Sequence, residues 1–147
     1  MVKLNRTGGF SIIESIIAMS LGILVAVALT TITIYGLKNS KNMQSEERLY
    51  SSANFFTQRS AYIMKQAKNF TVTSPSTLEV ALPSKTVIIE KSGNDILIEG
   101  EKVNASGVTV EELTFTPMQR SVRINFVLRS GSENFSGTTT IARRNAL

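Results

Sequence analysis

The sequence predicts an α+β protein: a long N-terminal helix, membrane-spanning in its first half and amphipathic in its second, packed on a mostly antiparallel β-sheet head. Three observations predict it. No charged residue occurs from Ser15 to Leu37, a run of 23 positions. From Gln44 to Phe70 apolar residues recur at spacings of four and three, the helical period. After Phe70 the chain turns to short β-like runs separated by turn residues, the signature of paired strands.

Composition narrows the function. At 147 residues there is room for one head beside the apolar run, since a domain takes about 100–200 residues. The net charge of +5 falls to +3 once Lys3 and Arg6 are set aside, too mild an excess to identify a partner. The chain has no Cys and no His. It therefore lacks the side chains of the common zinc sites, any thiol nucleophile and the usual proton shuttle at neutral pH. We expect no enzyme, no cofactor and no metal. The missing Cys leaves the redox compartment open, because an exported domain need not carry disulfides.

The elements follow in chain order: a leader over 1–9, a membrane helix over 10–37, an amphipathic helix over 38–70 and a sheet head over 71–147. The uncharged run spans roughly 34 Å as a helix, enough for a hydrocarbon core of about 30 Å. Glu14 stands at its mouth. A charge in hydrocarbon costs several kcal/mol, so this carboxylate requires a partner that offsets its loss of water. Lys3 and Arg6 precede the run and Lys38 and Lys41 follow it, so the positive-inside count is balanced. A short basic leader favours a cytoplasmic amino terminus and a single pass with the head outside.

In the second half Leu49, Ala53, Phe56, Ile63, Ala67 and Phe70 form one stripe, interrupted at Ser60 and flanked by Phe55 and Tyr62. No Pro precedes Ser74, so one rod from about Ser11 to about Phe70 is expected, with Gly36 and 38–42 the weakest stretch. Beyond it, Val87–Ile89 and Ile96–Ile98 flank Ser92-Gly93-Asn94-Asp95 as a hairpin. Val122, Ile124, Phe126 and Leu128 alternate with polar residues as a half-buried strand. Between Val108 and Thr116 the alternation slips at Glu111-Glu112, which predicts a β-bulge. The run Phe135–Ile141 pairs back on the Ile124 strand across Ser130–Glu133.

The segment Gly8-Gly9-Phe10-Ser11-Ile12-Ile13-Glu14-Ser15-Ile16-Ile17-Ala18-Met19 resembles the class III signal of type IV pilins and type II secretion pseudopilins. The resemblance implies cleavage after Gly9, N-methylation of Phe10 as the new amino terminus, and Glu14 as the acid that sets register during assembly. Its implied partners are a prepilin peptidase, other pilin or pseudopilin subunits, an inner-membrane platform protein with its assembly ATPase, and membrane lipid. Its implied location is the inner membrane, then the pilus or pseudopilus. Ser15 stands where family members often have an apolar residue, and Thr31 where many major pilins have Pro. The specific similarity covers about Gly8 to Val27. The ending Thr138–Asn145 is similar to the close of minor-subunit heads.

The signature has its own physical logic. A Gly-Gly pair offers unhindered backbone to a protease, and cleavage leaves an amine at Phe10. In an apolar bundle that amine and the Glu14 of a neighbouring copy would each be costly if left alone. Every offset that strands them is thereby penalised. The small residues Ala18, Ser20, Gly22, Ala26 and Ala28 let helices approach closely.

Other readings were weighed on the residues. Cleavage after Ala28, with Ala26-Val27-Ala28 as a signal-peptide site, would release a secreted binding domain. A DNA-uptake head would use Arg120, Arg123, Arg129, Arg143 and Arg144 on phosphates; the stretch Pro117–Leu147 carries +4. We read these arginines instead as solubilising charge, because Arg120 differs in strand parity from Arg123 and Arg129 and no aromatic set accompanies them. The pairs Glu46-Glu47 and Glu111-Glu112 point apart and make no acid/base pair. Glu99 and Glu101 beside Gly100 lack the six to eight oxygens that calcium needs. The glycosylation triplets at Asn69, Asn104 and Asn134 are chance matches.

Overall fold

The structure, a computed structural model, describes residues 11–143. Helix α1 runs from Ile12 to Gln66 without a break through Gly36 and 38–42. The chain divides after Lys41 into two units, an apolar helical one and a head. The Ser11 carbonyl accepts the Ser15 N–H at 3.1 Å and so opens the helical ladder. The helix stops four residues short of the expected Phe70. Its last turn tightens where the Ala67 N–H donates to Met64 O, and the Lys68 N–H then donates to Ala81 O at 2.8 Å. That bond hands the backbone from helix to sheet, so Phe70 lies in a strand, opposite Val80.

The head is all antiparallel, but it holds two sheets and not the single one expected. The first is a five-stranded meander of β1 (Asn69–Ser74), β2 (Thr77–Ala81), β3 (Thr86–Ser92), β4 (Asp95–Ile98) and β5 (Glu101–Lys102). The second joins β6 (Thr109–Pro117), β7 (Ser121–Ser130) and β8 (Glu133–Ala142) in that order. The sheets separate because β5 is only two residues long and the chain leaves it through a loop fixed by Asn104. That side chain is buried. Its Oδ1 accepts the Ile96 N–H at 3.0 Å, and its Nδ2 donates to Val108 O at 2.6 Å and Asp95 Oδ1 at 3.0 Å. The outer edge of β6 meets turns of the first sheet and no strand: Val110 N–H donates to Asn94 O and Phe115 N–H to Pro75 O, both at 2.8 Å.

The hairpin expected around Ser92–Asp95 is β3–β4, with Ser92 opposite Asp95. The β7–β8 hairpin closes likewise, with Ser130 opposite Glu133. Gly93 and Gly131 open these two-residue loops at φ 58° and 61°, the left-handed first position that a type II′ hairpin turn requires. The expected bulge is present: Val110 faces Leu128 and Glu112 faces Val127, leaving Glu111 as the extra residue. It returns Leu113 and Phe115 to the inner face beside Val110.

Helix α1 contributes Leu49, Ala53, Phe56, Ile63 and Met64 to one core shared with both sheets. Phe56 meets Phe126 edge-on at 5.5 Å and 88°. Phe126 in turn lies over Gly137, directly opposite it in register; a Cβ there would sit 2.4 Å from its Cζ. Ser52 and Ser60 are buried among these apolar residues. Ser52 Oγ accepts the Ala105 N–H at 3.0 Å, whereas the Ser60 hydroxyl has no partner.

Candidate functional site

The apolar unit is the first candidate. Ile12, Ile16, Leu24, Ile32 and Leu37 are each more than half exposed, and the apolar window of α1 is not covered by any of the described residues. Four of its hydroxyl side chains are satisfied from within. Ser20 Oγ donates to Ile16 O at 2.8 Å, and Thr30, Thr31 and Thr33 donate to the carbonyls four residues earlier at 2.8–2.9 Å. Such back-bonding meets these four hydroxyl protons within hydrocarbon. Thr31 thus continues the helix. One helix among the described residues is long and apolar enough to cross a membrane.

Glu14 is the one charged side chain of that surface between Ile12 and Leu37. It lies in the first turn of α1, where the unpaired N–H groups of a helix terminus favour an anion. Among the described residues it forms no ion pair. Gly9 and Phe10, the expected cleavage and methylation positions, lie outside the described residues.

The second candidate is the arginine set. Arg129 is exposed but bound, its Nη1 3.1 Å from Glu111 Oε1 and its Nε donating to Gly131 O. Arg143 donates to Lys68 O at 2.6 Å, and its backbone N–H to Arg120 O at 2.9 Å. Arg120, Arg143 and Lys68 therefore converge at the end of the small sheet where α1 terminates. Arg123 joins them on β7, beside Thr116 and Thr140. Arg129 lies about 20 Å further along that strand at 3.3–3.4 Å per residue. Arg120, Arg123, Arg129 and Arg143 do not make one surface; Arg144 lies outside the described residues. Sequence reasoning missed Lys68, because nothing local indicates that the helix end meets the end of β8.

Two further acids, Glu99 and Asp95, have structural partners. Glu99, the one non-glycine residue with positive φ among the described residues, at 56°, pairs with Lys85. Asp95 lies 2.7 Å from Lys102. The hydrogen bond from Lys102, and secondarily that from Asn104, hold its carboxyl below the ordinary value of 3.8. Asn104, in one of the glycosylation triplets, is buried and fully bonded. No cluster of three or more metal-ligating side chains occurs among the described residues.

The fold and these sites define a class: a chain with one membrane-length apolar helix that continues into an antiparallel α+β head. No protein-family profile, no curated protein and no solved structure matches the sequence.

Proposed function

We propose that this chain is a non-catalytic structural subunit, a minor one, of a type IV pilus or a type II secretion-like pseudopilus. In this reading a prepilin peptidase cuts after Gly9, Phe10 is methylated, and the apolar half of α1 leaves the lipid to pack against the helices of other subunits. One observation carries the reading: a helix that is uncovered and charge-free except for a single carboxylate in its first turn continues unbroken into a folded head. An ordinary membrane anchor has no use for that acid. A subunit whose helix must stack at one offset does, since an unpaired charge inside a bundle is costly. The internally bonded hydroxyls and the small residues from Ala18 to Ala28 suit both lipid and close helix packing.

The test is the intact mass of the protein purified from membranes, followed by Glu14→Ala. The reading expects an amino terminus at methylated Phe10, and loss of filament incorporation by the variant with the head still folded. A mature terminus at Leu29 would establish the secreted domain instead. Normal incorporation of Glu14→Ala would overturn the register role.

A further inference from the structure

The charges of the small sheet are segregated along its strands. At the end where α1 terminates, Lys68, Arg120, Arg123 and Arg143 gather with no ion-pair partner among the described residues. At the other end, beside the β7–β8 turn, stand Glu112 and Glu133. Ser45 Oγ lies 3.8 Å from where a Cβ on Gly131 would be, so Glu46 belongs to this end too. Arg129 there is neutralised by Glu111, and Arg48, whose Nη1 lies 3.3 Å from where a Cβ on Gly107 would be, adds one positive charge to this end. Glu46, Glu112 and Glu133 outnumber it, so the two rims carry net charge of opposite sign.

From this complementarity we infer that the basic rim of the small sheet docks on the acidic rim of a second copy of this chain. The contact is head-to-tail, and a heterologous contact that does not close on itself continues from copy to copy. The faces correspond. Arg123 and Glu112 both project from the outward face of the sheet, away from the buried positions of β6 and β7. Arg143 and Glu133 share the alternate parity of β8. Copies with parallel helices, displaced along the strand direction, bring unlike rims together, whereas copies at equal height set like charges side by side. The rims therefore reject a level arrangement and favour a staggered one. This inference rests on the assembly reading only in assuming that the copies stand parallel.

The experiment uses the full chain in zwitterionic detergent, with self-association followed by sedimentation. Lys68→Glu/Arg120→Glu/Arg123→Glu makes both rims acidic, and Glu112→Lys/Glu133→Lys makes both basic. Unchanged thermal melting shows that each variant remains folded. The expected result is that wild type associates about tenfold more weakly at roughly 0.5 M than at roughly 0.05 M salt, as screening shortens the reach of the charges. Each variant alone should fail to associate, and an equal mixture of the two should associate again, since acidic and basic rims then alternate. Association of either variant alone at the wild-type level, no recovery in the mixture, or no association of wild type at low salt overturns the inference. So does a basic-rim variant that loses retention on duplex DNA while copies still associate, which would make the rim a nucleic-acid surface. Glu14→Ala run alongside separates the two proposals, because rim-driven association in detergent survives that change even where filament incorporation does not.

Discussion

Replacing Gly137 by Ala tests the packing of the small sheet with an outcome opposite to the usual one. Glycine inside a strand normally weakens it, and Ala at a compatible site stabilises by about 0.4–1 kcal/mol. Here the new Cβ would lie 2.4, 2.8 and 3.0 Å from Cζ, Cε2 and Cε1 of Phe126, whereas carbon atoms attract best at about 3.5–4.0 Å. The ring must retreat by about 1 Å, and its neighbours must give with it: Phe126 is 3% exposed, with Phe56 at 5.5 Å and Phe135 at 6.2 Å and a surface cleft lined by Tyr50, Ala53 and Thr57 on the remaining side. Overpacking of this kind costs about 1–3 kcal/mol, and three close contacts place Gly137→Ala toward the upper end. For a domain of about 100 residues that lowers Tm by roughly 8–12 °C, read by circular dichroism of the full chain in detergent. Phe126→Leu removes the colliding ring edge, at a cost of about 1–2 kcal/mol for the space it leaves. The double variant should then lose about 1–2 kcal/mol less than the sum of the single losses. A Tm for Gly137→Ala at or above wild type, or strict additivity in the double variant, would refute the reasoning.

Asn104→Leu strands the Ile96 N–H and the Val108 carbonyl; with about 1–3 kcal/mol for each buried group left unpaired, the urea midpoint should drop markedly, and an unchanged midpoint would deny Asn104 its clamp role. Ser60→Ala removes a buried hydroxyl that has no partner, so its stability in the same titration should equal or exceed wild type, by up to about 1 kcal/mol. Asp95 has a folded pKa below its unfolded value of 3.8, so its contribution is complete above that value and disappears as pH falls through the lower folded pKa. Asp95→Asn should accordingly flatten the loss of stability measured in urea between about pH 4 and pH 2, and an identical acid profile would show that Lys102 and Asn104 do not favour the charged carboxylate.

What could be read in advance was local. The β3–β4 hairpin follows from Gly93-Asn94 between two aliphatic runs, and the bulge from the parity slip at Glu111, because each depends on residues within a few positions of one another. The helical stripe through Leu49, Ala53, Phe56 and Ile63 was legible for the same reason. Its end was not: Lys68 leaves the helix because Ala81, thirteen residues on, takes its N–H. Strands β1 and β2 are not legible alone because each offers only two apolar positions in alternation, Phe70 and Val72, then Leu78 and Val80, too short a pattern to fix a strand. The division into two sheets depends on Asn104 joining Ile96 to Val108, a tertiary bond that no periodicity records. At the candidate sites, Glu14 stood out as the one charge in the apolar run, while the arginines divided by partner in a way that spacing alone does not reveal.

The outer edge of β8 bears on the handling of this protein. It is the terminal strand of its sheet, ten residues long, and from Asn134 to Ala142 it contains no Pro and no charge. Other edges are shorter or engaged: β5 has two residues, and β6 spends amides on the Pro75 and Asn94 carbonyls. A row of unpaired main-chain groups without a gatekeeper is a template for strand swapping and fibrous deposit whenever solutions are concentrated. A single lysine at Thr138, whose side chain points to solvent, would guard that margin while leaving the buried face of the strand untouched.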